Sequence, residues 1–112
     1  MRVGTEAYFS GPLRRAIAGH AAVAPSWLVR FDHRTPVLDA MGLGASHSAE
    51  GPFLFGNPDR AAWALIAPDG PSDDDLRVMA DLRSAWRGFL HDRVVGWPAV
   101  GARAVPNEHV LR

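Results

Sequence analysis

The segment GASHSAEGPFLFG, residues 44–56, contains the residue types most able to do chemistry in this sequence. Its first five residues approach the G-x-S-x-G pattern, in which a strained turn between a strand and a helix exposes a nucleophilic serine. Ser48 replaces the final glycine, however, and no strand pattern precedes Ser46. Gly51-Pro52 also interrupts the helix that should follow. The sequence therefore predicts that Ser46 is not a nucleophile.

His47 is the stronger candidate, because imidazole can both accept and donate a proton near neutral pH. Gly42 and Gly44 allow the backbone of this loop to approach a partner closely. Glu50 follows three residues later and can brace the loop. The apolar run at residues 52–55 can anchor it. We predict that the loop holds the His47 ring at a fixed place.

The other polar residues suggest no second site. Asp32 and His33 are neighbours on a predicted strand, so their side chains point to opposite faces, and we interpret them as a strand end and a solvated loop. Residues 73–75 are three aspartates that favour a helix start over a metal site. The remaining histidines show no ligand spacing, and with no cysteine we expect neither a metal nor a cofactor. These histidines are His20, His91 and His109.

Three elements are expected to position the loop. A helix over 12–21 begins after Ser10, which can cap it. SWLVRFDH, residues 26–33, is the best strand pattern, since it is rich in β-branched and aromatic side chains. Residues 34–71 are rich in proline and glycine and predict a loop with short helical pieces, one of them around residues 61–65.

The clearest helix covers residues 72–92. Ser72 and Asp75 have the spacing of a capping box, and GWP at residues 96–98 ends the element. Six apolar residues recur at helical spacing and form one apolar stripe: Leu76, Met79, Leu82, Trp86, Phe89 and Leu90. Residues 101–112 are interpreted as a tail with a short strand at 103–105.

Composition limits the class of protein. The 112 residues fit a single domain, and 12 basic residues balance 12 acidic ones, which argues against nucleic-acid binding. No apolar stretch is as long as the apolar core of a signal peptide or as a membrane-spanning helix. We expect a soluble, cytoplasmic protein. A single strand has no sheet, so its backbone must pair with another strand of this chain or with another polypeptide.

Four segments, taken together, resemble the C-terminal portion of type B carboxylesterases, the α/β-hydrolases that include cholinesterases and para-nitrobenzyl esterases. They are WLVRFDHR, LGASHSAEGPFLFG, DDDLRVMADLRSAWRGFLHD and GWP, and their order and spacing agree over residues 5–98. The corresponding loop of that family has the form G-A-x-H-G-x-E-L-P-F-V-F-G. This chain departs from it at Ser48 and Gly51, where the family has glycine and leucine.

The resemblance implies a fold class and a role for each loop residue. The fold would be α/β, a partial α/β-hydrolase domain with one main strand, a long histidine loop and a long helix. His47 would be the catalytic general base, and Glu50 would support the loop without contacting the substrate. Phe53 and Phe55 would anchor the loop in the apolar interior. The residues corresponding to the last large strand of the sheet are Trp27, Val29 and Phe31.

The resemblance also implies what is missing. The serine elbow, the oxyanion loop and the acidic triad member belong to earlier segments of that family. We therefore expect a carboxylesterase piece, inactive alone, that hydrolyses carboxylic esters when an N-terminal hydrolase segment complements it. The alternative is a non-catalytic interaction or self-association module. A stand-alone enzyme built on His47 and Glu50 ranks last, because it has no nucleophile.

Overall fold

The computed structural model describes residues 2–56, 61–92, 94–101 and 108–112, which form a mixture of helices and two short strands. The described elements follow in chain order: α1 (Arg2–Thr5), a π-helical turn (Glu6–Ser10), α2 (Gly11–Ala21), β1 (Leu28–Phe31), α3 (Pro36–Ala40), α4 (Gly51–Phe55), α5 (Ala61–Ile66), α6 (Asp73–His91) and β2 (Glu108–Leu111).

The chain divides into two compact units. The first comprises residues 1–29 and 97–109, and the second comprises residues 30–96 and 110–112. The whole segment predicted to carry chemistry, residues 44–56, lies in the second unit. The sequence predicts one partial domain over residues 1–112 and does not indicate this division.

Helix α2 belongs to the first unit and has Pro12 in its first turn, as predicted. The predicted cap at Ser10 is wrong. Ser10 has helical backbone angles (φ −66°, ψ −42°) and its side chain makes no capping hydrogen bond. The reason is that helical backbone continues upstream through the π-helical turn, so the amides at the start of α2 already have partners. Arg14 of α2 forms an ion pair with Glu6 and lies 3.7 Å from Glu108.

Strands β1 and β2 form a two-stranded parallel sheet, so the predicted strand finds its partner within this chain. The amide of Asp32 extends the pairing by donating to the carbonyl of Leu111 at 2.8 Å. The strand predicted at residues 103–105 lies outside the described residues. Residues 108–111, which were predicted to belong to a tail, form β2 instead.

Residues 34–71 contain the short helical pieces that their composition predicted. Thr35 caps α3 by accepting a hydrogen bond from the amide of Leu38 at 3.3 Å. Helix α5 confirms the predicted turns near residues 61–65. The prediction that Gly51-Pro52 prevents a helix is wrong. Helix α4 begins at this pair, because proline fits a first helical turn, where its missing amide is not needed.

Helix α6 confirms the most specific prediction. Ser72 Oγ accepts from the amide of Asp75 at 3.1 Å, and the Asp75 carboxylate accepts from the amide of Ser72 at 2.8 Å. Both halves of the capping box are present, so two backbone amides that would otherwise be unpaired at this helix end have acceptors.

The predicted apolar stripe of α6 is only partly buried. Met79 and Leu82 are buried, and so is Val78, which the prediction missed. The other four predicted stripe residues are exposed. The reason is that the core residues packed against α6 end near Leu82, so the second half of the helix has no buried residue. The exposed four are Leu76, Trp86, Phe89 and Leu90.

The core of the second unit is an aromatic cluster held against α6. Phe53 and Trp63 are each 1% exposed, and their ring centroids lie 4.9 Å apart. Phe31 of β1 packs on Phe53 at 5.0 Å, and Leu111 of β2 completes the cluster. Among the described residues, no helix is both long and apolar enough to cross a membrane.

Candidate functional site

The predicted histidine lies in a run of turns between α3 and α4. The amide of Ala49 donates to the carbonyl of Ser46 at 3.1 Å, and the amide of Gly51 donates to the carbonyl of Ser48 at 3.2 Å. The His47 ring is exposed. Two successive turns therefore fix the backbone on both sides of an imidazole that solvent can reach.

Ser48 has a φ of +66° and is the only described residue other than glycine with a positive φ. The left-handed conformation brings the Cβ of an L-residue close to its own backbone and costs about 1 kcal/mol. Glycine would adopt it without that cost. The chain therefore holds an unfavourable conformation at the residue that directly follows His47.

The start of the loop is fixed near the end of β1. The amides of Leu43 and Gly44 both donate to the carbonyl of Leu38, at 2.9 and 3.3 Å. A Cβ added at Gly44 would lie 3.7 Å from the side chain of Arg34, which follows His33 in the chain. The loop thus leaves α3 and passes the residues that follow β1.

The far end of the loop is anchored by α4. Phe53 is buried in the aromatic cluster, and Trp63 Nε1 donates to the carbonyl of Pro52 at 3.2 Å. Phe55 is 79% exposed, so Phe53 is the phenylalanine that attaches α4 to the core. Glu50 is also exposed and makes no side-chain cap. It contributes its carbonyl, which accepts from Leu54 at 2.9 Å.

A buried His–Asp pair lies next to Phe53. His33 Nε2 is 2.6 Å from Asp75 Oδ1, and the two side chains are 10% and 3% exposed. The second carboxylate oxygen of Asp75 accepts the amide of Ser72 in the capping box. Both oxygens of the carboxylate therefore have hydrogen-bond partners, as a buried carboxylate requires.

The interpretation of Asp32 and His33 as a strand end and a solvated loop is wrong for His33, which is buried. The two side chains nevertheless do not act together, since Asp32 lies 3.9 Å from Arg30 and the partner of His33 is Asp75. Sequence reasoning assigned Asp75 to the capping box alone. The signal it missed is Phe31, which precedes His33 by two residues and therefore shares its face of the strand pattern, so that an apolar neighbour is expected beside the imidazole.

The buried pair supports the histidine loop through a single ring. The centroid of Phe53 lies 5.3 Å from that of His33, with the planes at 78°. Phe53 therefore contacts the buried imidazole while belonging to the helix that ends the His47 loop. Because His33 and Asp75 are both enclosed, the pair has a structural role, whereas the imidazole of His47 is open to solvent.

The remaining sequence candidates add no further chemistry. His20 and His91 are exposed, and His109 stacks on Trp97 with ring centroids 4.4 Å apart. Within the described part of the chain, no group of three or more His, Asp or Glu side chains is placed to hold a metal ion. No protein-family model matches the sequence.

Proposed function

We propose that this chain is the C-terminal portion of a serine carboxylesterase with an α/β-hydrolase fold, and that His47 is its general base. The observation that carries the proposal is the left-handed backbone of Ser48. In the family that the sequence resembles, the residue after the catalytic histidine is glycine. The loop of this chain adopts, at the same position, the backbone conformation that favours glycine.

Two further features support the proposal. Gly56 ends the segment in a left-handed conformation (φ +60°), at the place of the last glycine in the family pattern. The His47 ring is exposed on a loop whose two ends are fixed by hydrogen bonds and by Phe53. A general base needs such a fixed ring with one open side.

In the proposed reaction, residues outside these 112 supply the nucleophilic serine, the triad acid and the oxyanion-hole donors. His47 accepts the proton of the serine hydroxyl as the serine attacks the ester carbonyl, and then donates it to the leaving alcohol. A water molecule then attacks the acyl-enzyme, and His47 accepts the proton of the water and donates it to the departing serine oxygen. The two-stranded sheet would continue into the strands of the complementing segment.

Complementation tests this function. The chain is mixed with a polypeptide that carries the N-terminal segments of a type B carboxylesterase, and hydrolysis of para-nitrophenyl acetate is followed. We expect turnover from the mixture and not from either polypeptide alone. His47→Ala should abolish it, whereas His91→Ala, which changes another exposed histidine, should not. Equal turnover with His47→Ala would refute the role of His47.

A second candidate function is that of a non-catalytic interaction module, and the second half of α6 favours it. Trp86 and Phe89 form an edge-to-face pair with centroids 6.0 Å apart, and both are exposed. Leu90, on the next turn, is 70% exposed. Neighbouring large apolar side chains on one helix are typical of protein-binding surfaces. A sedimentation measurement distinguishes a monomer from a self-associating chain.

A further inference from the structure

Helix α6 carries a shallow groove of about 270 Å³ on its exposed side. All of its lining residues belong to this helix, and they recur at intervals of three and four residues. That spacing places them in one stripe along several turns, which is the surface on which a second helix packs. The lining residues are Leu76, Met79, Ala80, Arg83, Ser84 and Arg87.

The groove combines apolar side chains with two arginines that have no ion pair among the residues described by the structure. Within the described residues, neither Arg83 nor Arg87 has a carboxylate within ion-pair distance, although Arg77 of the same helix lies 3.6 Å from Asp74 and 3.7 Å from Asp81. The two arginines are one helical turn apart, so both can face one ligand. A ligand that complements the groove should therefore carry negative charge opposite these two arginines.

Arg83 is held in place by packing. A Cβ built on Gly56 would lie 2.7 Å from Nη1 of Arg83 and 2.9 Å from its Cδ, so the arginine stem lies directly over the glycine. A guanidinium fixed in this way loses less conformational entropy on binding than a free one.

We infer that this groove binds an amphipathic helix of a partner protein, with its apolar residues on Leu76 and Ala80 and its carboxylates on Arg83 and Arg87. A second copy of the chain fits less well. Parallel packing brings each arginine against its own counterpart, and antiparallel packing about the middle of the groove sets Arg83 and Arg87 against Ala80 and Leu76. A nucleic acid is disfavoured by Asp74 and Asp81 on the same helix and by the neutral net charge.

The inference deepens the second candidate function, on which it rests, by giving the chemistry of the partner. It does not depend on His47. The two proposals therefore fail separately: His47→Ala should leave binding in the groove unchanged, and loss of ester hydrolysis in the complementation assay says nothing about α6.

Binding of designed peptides tests the inference. The first labelled peptide, of about 20 residues, has leucines at three- and four-residue spacing, flanked by glutamates. The second peptide has the same sequence with lysines in place of the glutamates. Binding to the full chain is measured by fluorescence anisotropy. We expect the acidic peptide to bind about tenfold more tightly, because two attractive pairs replace two repulsive ones. The difference should shrink at high salt.

Charge reversal gives the decisive control. Arg83→Glu with Arg87→Glu should reverse the preference, so that the lysine peptide binds more tightly. Arg87→Glu alone, which leaves the packing on Gly56 intact, should at least halve the preference. Arg15→Glu on α2 changes the net charge equally and should leave the preference unchanged.

Three results would overturn the inference. Equal binding of the two peptides would show that the arginines do not select the partner. Absence of binding by both would show that the groove is not a docking surface. The third result is a dimer that forms through α6. It would be seen by sedimentation, and Arg83→Glu would change its stability. The occupant of the groove would then be a second copy of the chain.

Discussion

Nε2 of His33 lies 2.6 Å from Oδ1 of Asp75, and the second oxygen of the same carboxylate holds the amide of Ser72. The buried carboxylate of Asp75 therefore joins His33, the second residue after β1, to the first turn of α6. Since Phe53 packs on the edge of the His33 ring, the same contact supports the helix that ends the His47 loop. The position of the candidate base depends on a carboxylate far from it in sequence.

Removing this carboxylate should destabilise the second unit. In Asp75→Ala, the imidazole of His33 loses a buried partner and α6 loses its cap, so we expect a loss of about 3 kcal/mol in the free energy of unfolding. Asp74→Ala is the matched control, since Asp74 is exposed in the same turn, and should cost about 0.5 kcal/mol or less. Urea unfolding followed by circular dichroism measures both. Equal losses would mean that the pair contributes nothing specific.

Phe53 and Phe55 should differ sharply on truncation. Phe53→Ala removes a fully buried ring from the aromatic cluster, and we expect it to cost about 4 kcal/mol. Phe55→Ala changes a ring that is mostly exposed and should cost about 0.5 kcal/mol or less. Both variants are compared in the same urea titration. A large effect of Phe55→Ala in the isolated chain would contradict the exposure of that ring.

Ser48→Gly should stabilise the chain. Glycine relieves the left-handed conformation, and the expected gain is about 0.5 kcal/mol after the larger entropy loss of glycine on folding is subtracted. Ser46→Gly is the control, because Ser46 has no positive φ and should lose stability instead. Thermal unfolding decides between them. A lower melting temperature for Ser48→Gly than for Ser46→Gly would argue against a strained turn after His47.

Gly56→Ala should be unfavourable for two reasons. The residue has a φ of +60°, and its new methyl group would meet the stem of Arg83. We expect a loss of about 1–2 kcal/mol. Gly51→Ala is the matched substitution at the other end of α4, where a Cβ meets no atom within 4 Å, and should be neutral or slightly stabilising. Differential scanning calorimetry of the two variants compares them directly.

The isolated chain should not react with a serine-directed fluorophosphonate. Ser46 is followed by turns, and the helix that comes next begins only at Gly51, so its hydroxyl is not lifted by a strand–turn–helix elbow. Mass spectrometry of the treated chain measures the labelling. Stoichiometric modification that Ser46→Ala removes would show that the serine is a nucleophile and would end the proposal that this residue type comes from outside the chain.

Sequence reasoning succeeded where the signal is local. The capping box of Ser72 and Asp75, the span of α6 and the short helix at residues 61–66 all follow from contacts between residues a few positions apart. Turn chemistry was less certain, since a Gly-Pro pair can end one helix or begin another, and at α4 it begins one.

What the sequence did not reveal depends on distant contacts. Burial of His33 requires Asp75 and Phe53, and exposure of Trp86 depends on how far the covering core reaches along α6. Neither is encoded in the spacing of apolar residues. The candidate site shows the same division: the residues of the His47 loop could be selected from the sequence, whereas the buried pair that supports it could not.

The burial of Leu111 in the same cluster as Phe53 sets an order for folding. Parallel pairing of β1 with β2 joins segments near opposite ends of the second unit, and contacts of such long range form slowly because a large loop must close first. During synthesis, α3 to α6 emerge from the ribosome before the strand that completes their core. Until β2 is available, the cluster of Phe53 and Trp63 lacks Leu111, and intermediates that expose apolar surface in this way are prone to aggregate.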